Sequence, residues 1–370
     1  GRGRMVAHSA FHIEPVLKKS ALKISALDTW QGKLLAGTEE GALMVLEEQQ
    51  ASHLVEFALI DTRKTFAKRH ILQLQVVEEL GSIVTLTADA IQINHLPSFD
   101  LTAQLLKTRG THVFALTCET ATPMLCCAMK KKLMLLKWEA GQFNEWKELP
   151  LADTPKCVSW CGECVCLSVG RKYVMVNVAT GVEKGLFDSN TAQPSVFRLP
   201  GKKELLLGRD NISVFQDFEG RPSRKYGVTW TDAPVALVHS FPYLVGILPK
   251  VVEVQLVETQ KAVQTISLRA TLICPSPKDD AAFVLANNQI YRLRPVPIHR
   301  QVDMLMESQS YEMCLRLCEL CEGSPHVEQK ASAIYKAYGL ALFAKNEFDK
   351  AMSNLNQCKN LDPREVLALF

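Results

Sequence analysis

Four short apolar runs separated by turns occupy residues 24–60, and the same arrangement returns at intervals of 37 to 47 residues. First strands start near Ile24, Ile71, Val113, Cys157, Val196, Val235 and Leu272. The template reads Ile24-Ser25-Ala26-Leu27, Leu34-Leu35-Ala36-Gly37, 42–46 and 54–60. Trp30-Gln31-Gly32-Lys33, Thr38-Glu39-Glu40-Gly41 and a polar connector over 47–53 divide these runs. A period of about 40 residues suits a four-stranded meander with short turns, the blade of a propeller. Solenoid units of similar length would be helical. Here 174–178, 212–215 and 251–257 are β-branched, often alternating, and bounded by Gly, Pro, Asn or Asp, which marks strands. The pattern predicts a mainly β chain, a seven-bladed β-propeller, with a β-sandwich as the competing all-β arrangement.

Closure of the ring is decided at the chain's two ends. The seventh unit supplies strands at 272–274, 281–286 and 289–293, and then the periodicity turns helical, so its fourth strand is missing. Residues 10–17 precede the first unit and have no blade of their own. They are expected to pair onto the seventh blade and remove an exposed sheet edge. Pro15 suits an outermost strand, where a lost donor faces water.

With 47% hydrophobic and 22% charged residues over 370 positions, the chain can bury a sizeable core and hold two domains. A net charge of +3 gives no argument for nucleic acid, and no long Lys/Arg run with interleaved aromatics occurs. The longest apolar window, 235–248, is cut by His239, Ser240 and Pro242 and reads as two strands rather than a membrane span. Gly1-Arg2-Gly3-Arg4 before Met5 reads as a tag remnant, and no signal segment follows, so a cytoplasmic location is expected. Twelve cysteines lie partly inside apolar runs, as at Cys126-Cys127 and Cys166, and read as reduced core thiols.

Two cysteine groups repeat one spacing, Cys157-x3-Cys161-x2-Cys164 and Cys314-x3-Cys318-x2-Cys321. It matches the iron–sulfur motif of radical enzymes, but Glu163 and Leu320 stand where an aromatic is usual. The first group spans a strand, a turn at Gly162 and the next strand, while the second forms one helical stripe. Both are expected to be packing, with no metal and no cofactor. No phosphate loop, His-Glu-x-x-His or Gly-x-Ser-x-Gly elbow is present, so no catalytic residue is assigned. Paired carboxylates at 39–40, 47–48 and 279–280 fall at expected turns. Lys130, Lys131 and Lys132 form a basic hairpin tip, the candidate contact for a partner or membrane against the plainer reading of a solvated turn.

After Arg294-Pro295-Val296-Pro297 the period becomes about 3.6, and 302–306, 311–321, 328–345 and 348–359 read as helices. Tyr335, Tyr338-Gly339, Leu342, Phe348, Ala351, Leu355, Cys358 and Pro363 follow tetratricopeptide packing positions, with Gly339 and Ala351 allowing close helix approach and Asn346 at the turn. The expected organisation is a tag remnant and flexible N-terminus over 1–10, a propeller over 11–296 with 11–17 closing the last blade, and the start of a truncated, TPR-like or clathrin-repeat α-solenoid over 297–370.

A propeller without WD dipeptides followed by an α-solenoid resembles vesicle coat and tether subunits, and the propeller looks like a citron homology domain. Residues 128–135, 229–236, 242–245, 248–254, 291–298 and 348–352 resemble the vacuolar protein sorting thirty-nine family over about 11–370. That resemblance implies a non-enzymatic subunit of the HOPS tethering complex, peripheral on late endosome, lysosome or vacuole membranes. It also implies a late-endosomal Rab GTPase as partner, and assembly with other HOPS subunits through a distal solenoid. The alternatives are a CORVET tether subunit resembling the transforming growth factor-β receptor-associated protein, and a ligand-binding or catalytic propeller. A scaffold is expected to have a bland channel, an enzyme a convergent polar one.

Overall fold

The computed structural model describes residues 8–51, 54–191, 193–257, 261–320, 325–358 and 364; the segment read as a tag remnant, 1–4, lies outside them. After β1 (Phe11–Leu17), blade one is β2 (Ile24–Trp30), β3 (Lys33–Thr38), β4 (Leu43–Ala51) and β5 (Leu54–Arg63). Blade two is β6 (Ile71–Val77), β7 (Ser82–Thr87), β8 (Ile91–His95) and β9 (Leu101–Leu105). Blade three is β10 (Val113–Thr117), β11 (Met124–Met129), β12 (Lys132–Glu139) and β13 (Gln142–Pro150). Blade four is β14 (Pro155–Cys161), β15 (Cys164–Val169), β16 (Lys172–Asn177) and β17 (Glu183–Asp188). Blade five is β18 (Val196–Arg198), β19 (Glu204–Arg209), β20 (Ile212–Asp217) and β21 (Val228–Thr229). Blade six is β22 (Ala236–Ser240), β23 (Tyr243–Ile247), β24 (Val252–Leu256) and β25 (Lys261–Ile266). Blade seven is β26 (Leu272–Ser276), β27 (Ala281–Ala286) and β28 (Gln289–Pro295), with β1 as its outermost strand in the order β1-β28-β27-β26.

Blade sheets stack on their neighbours through both faces, which explains why the second strands are largely apolar on both faces instead of alternating. Every residue of β7, β11 and β27 is buried. The core is accordingly a ring of clusters, each between two blades. Leu34 and Met44 of blade one meet Phe283 and Ile290 of blade seven, and Val84 and Ile91 of blade two meet Leu125 and Met134 of blade three.

The polar connector expected over 47–53 is instead strand. β4 and β5 continue as one long hairpin with Glu47 opposite Ala58, Glu48 opposite Phe57 and Gln49 opposite Glu56; residues 52–53 lie outside the described residues. Polarity misled here because an outer hairpin presents side chains to water and to the neighbouring blade's rim. Glu48, for example, accepts from the Arg292 guanidinium of blade seven at 2.7 Å.

Residues 13–294 form one compact unit, and the residues before Ile13 group with the helices beyond Pro295 in another. In the second unit Val296 N–H donates to the Ala10 carbonyl at 2.8 Å, and the buried Gln301 amide bonds the Val296 carbonyl and, at 3.0 Å, the His8 ring. The helices are α1 (Ile298–Glu307), α2 (Tyr311–Leu320), α3 (Pro325–Phe343) and α4 (Phe348–Leu355). The first starts four residues before the expected 302 because Pro297 can precede a helix without losing a needed donor. A Cβ on Gly339 would stand 2.6 Å from Leu355 Cγ, so α3 and α4 approach more closely than a side chain there allows. Asn346 supplies the left-handed turn between them at φ 64°.

Candidate functional site

Strand direction alternates within a blade, so the connections leave at two opposite ends of the propeller. One end gathers the turns between second and third strands and the connections from each blade to the next. Backbone bonds stitch these together: Glu39 N–H to the Lys23 carbonyl at 2.8 Å, Ala67 N–H to Gly41 at 2.8 Å, Ala88 N–H to His70 at 2.9 Å and Ser189 N–H to Arg171 at 2.7 Å. This is the connector end. The other end holds the remaining turns, joined by bonds such as Leu96 N–H to the Gly81 carbonyl at 2.8 Å.

The three hairpin lysines lie at the connector end of blade three, where β11 turns into β12. Lys130 and Lys131 are exposed at the turn, and Lys131 takes a left-handed φ of 56° while its carbonyl accepts from Leu151 N–H at 2.8 Å. Lys132 is different: it opens β12 and pairs with Glu148 on β13 at 2.7 Å. The structure thus separates two solvated charges from one held within the sheet.

The central channel is a cavity of about 490 Å³, and its wall is more polar than the bland lining expected of a scaffold. Asp28, Gln73, Gln75, Ser159, Arg198 and His239 all contribute. The reason lies in the first strands, whose channel-facing backbone groups have no further strand to bond. Asp28 accepts from Val76 N–H at 2.6 Å and from Thr29 N–H at 2.8 Å. The Gln73 amide donates to the Phe114 carbonyl at 3.0 Å and accepts from Phe114 N–H at 3.1 Å. Ser25 donates to the Ile71 carbonyl at 2.6 Å, and Trp160 Nε1–H to the Ala115 carbonyl at 2.9 Å. These side chains reach sideways as clasps between neighbouring blades and do not converge on a common point. Desolvation by the channel wall pushes the Asp28 carboxyl up to about 6 despite its two donors. Burial, with the Lys202 charge, lowers the His239 imidazole.

Further out, Tyr173 joins blades four and five through one buried hydroxyl, which donates to the Gly208 carbonyl at 2.7 Å and accepts from Ser195 N–H at 3.0 Å. The Trp230-Thr231-Asp232 segment is equally architectural. Trp230 Nε1–H donates to Ser213 at 2.9 Å, and the Thr231 hydroxyl donates to the buried Glu253 carboxylate at 2.6 Å, fastening the connection into blade six. Sequence reasoning missed these clasps. A lone carboxylate inside the apolar strand around Asp28 was the one signal available for them.

Cys157 and Cys161 sit on β14 and Cys164 opens β15, with Cys161 buried and burial pushing its thiol up to about 12. Cys314 and Cys318 are buried on α2, and Cys321 lies outside the described residues. Among the described residues no three His, Cys, Asp or Glu side chains group as a metal site, and no helix is long and apolar enough to cross a membrane.

The CNH domain family matches residues 30–276. The chain is 30% identical over 387 residues to the Vam6/Vps39-like protein of Homo sapiens, covering 98% of this chain and 43% of that protein. It is 29% identical over 377 residues to vacuolar sorting protein 39 of Arabidopsis thaliana, covering 99% and 37%. It is 24% identical over 317 residues to transforming growth factor-beta receptor-associated protein 1 of Homo sapiens, covering 82% and 36%. The chain therefore spans less than half the length of these relatives. The solved AfRom2 CNH domain superposes with a TM-score of 0.60 at 15% identity, covering 77% of this chain and 99% of that one, a likeness of fold.

Proposed function

Because the chain belongs to the CNH domain family and is similar along almost its whole length to Vam6/Vps39-like proteins, we propose that it is part of a non-enzymatic subunit of the HOPS endolysosomal tether. It works on late endosome, lysosome or vacuole membranes by binding a late-endosomal Rab GTPase, and joins other tether subunits through solenoid that follows α4. The observation that carries this reading is the similarity to proteins named for vacuolar sorting across both propeller and helices. The greater identity and coverage of these relatives favour this reading over the receptor-associated, CORVET-type one. The channel supports a scaffold by its chemistry: its best-placed polar groups, Asp28 and Gln73, are engaged by backbone of the next blade.

The Rab contact is tested by titrating GTP-loaded and GDP-loaded late-endosomal Rab against this chain by calorimetry. Micromolar affinity, about 8 kcal/mol, is expected for the GTP form, because a tether that engages membranes at several points gains by avidity. A preference requires contact with segments that the γ-phosphate orders. Equal affinity for both forms removes the effector reading, and absence of binding to either removes the contact from this part of the protein.

A further inference from the structure

The net charge of +3 conceals an asymmetry between the two ends of blades two to four. Through blades two to four, the connector end carries Lys64, Lys68, Arg69, Lys130, Lys131 and Arg171, all exposed, and none of them is in an ion pair with another described residue. The carboxylates in the same segments are Asp89, held by Arg109 at 3.2 Å, and Asp153. At the opposite end of those three blades the exposed ionisable groups include Glu78, Glu79, Glu139 and Glu163. In these three blades the hairpin topology thus puts positive charge at one end and negative charge at the other.

We propose that the connector end of blades two to four is a docking surface for an anionic phospholipid bilayer. Its cations sit on three separate segments of this end, the 64–69 connection, the 130–131 turn and the turn at Arg171, so no single small ligand or narrow peptide can meet them together. A bilayer can, because anionic headgroups move laterally to each charge and the potential is shared over the whole face. Leu106 adds an exposed apolar side chain in a short helical turn at this end, followed by Lys107 and Arg109, which pair with Glu145 at 2.8 Å and Asp89 at 3.2 Å. An exposed apolar tip on a face that carries cations suits the boundary between headgroups and acyl chains. The occupant deepens the membrane-peripheral part of the proposed function and rests on it, whereas the Rab contact is independent of this surface.

The test is co-sedimentation of this chain with vesicles of phosphatidylcholine alone and with about 30% phosphatidylserine, at low and physiological salt. Binding is expected only with the anionic lipid, weakening as salt rises. Arg69→Glu/Lys130→Glu/Lys131→Glu is expected to lower the partition coefficient at least about tenfold. Lys202→Glu/Lys203→Glu/Lys278→Glu, which makes the same charge change at the opposite end, is expected to stay within about twofold of the parent. Melting curves of both variants check that each is folded. Failure of the parent to bind anionic vesicles, or equal losses from both variants, would overturn the proposal. So would a connector-end variant that binds vesicles like the parent; if it also lost GTP-loaded Rab, the surface would belong to an acidic protein partner. Loss of vesicle binding with Rab binding retained supports the bilayer assignment, and Rab failure alone leaves it standing.

Discussion

Asp28 shows how one residue couples the channel to stability. Its carboxylate bridges blades one and two, yet it is held in a poorly hydrated wall that pushes its pKa up to about 6 from an ordinary value near 3.8. The native state therefore binds this proton more tightly than the unfolded chain does. Its contribution to stability is fully present below about pH 4 and is lost as pH rises towards about 6. Relative to Asp28→Asn, which cannot titrate, the parent is expected to gain about 1–3 kcal/mol on going from pH 7 to pH 4, the lower part of that range reflecting partial exposure. Urea titrations of both proteins at several pH values measure this, and a pH-independent gap would return Asp28 to an ordinary carboxyl. Lys132 teaches the complementary point. In sequence it is indistinguishable from Lys130 and Lys131, and only the antiparallel register that brings Glu148 opposite its neighbour Met134 places a carboxylate within its reach.

At the scale of elements, β1 is the strand with most depending on it, since it lies on β28 as the last strand of the seventh blade. It contributes buried Phe11 and Val16, and its Glu14 pairs with Arg294 at 3.0 Å. Deletion of residues 1–18 uncovers the β28 edge and loses that burial, at about 1.5–3 kcal/mol for each large apolar side chain. The deleted protein is expected to aggregate and to melt well below the parent, as followed by light scattering during a thermal ramp; an unchanged melt would show β1 to be dispensable. Strand starts were legible in the sequence because each first strand follows a turn and opens an apolar run. The β4–β5 hairpin was not, because Glu47 to Gln49 are polar for a reason that lies elsewhere in the fold: they face water and the Arg292 of a blade far along the chain.

Across the whole molecule, the ring is closed by bonds between residues far apart in sequence, and Asn288 makes three of them. Its side chain accepts from Ile24 N–H at 2.8 Å and donates to the Ser20 and Leu22 carbonyls at 3.2 and 2.9 Å, joining the seventh blade to the first. Because Asn288 has a left-handed φ of 60°, Asn288→Gly removes those bonds without adding backbone strain. A loss of about 1–3 kcal/mol is expected, read from denaturant titration, and a neutral result would show that closure rests on β1 and apolar packing alone. The sequence by itself determined the number of blades, the strand starts, the missing fourth strand and the change to helices, because apolar period and turn chemistry are local properties that survive without partners. It also carried the family resemblance, since sequence motifs are local. Only the tertiary structure decided which polar residues are clasps, which of the hairpin lysines meets Glu148, and how charge divides between the two ends of blades two to four. Those properties depend on what stands opposite a side chain across a blade boundary, and residues such as Ile24 and Asn288, or Arg198 and Glu119, meet there from places that no local pattern connects.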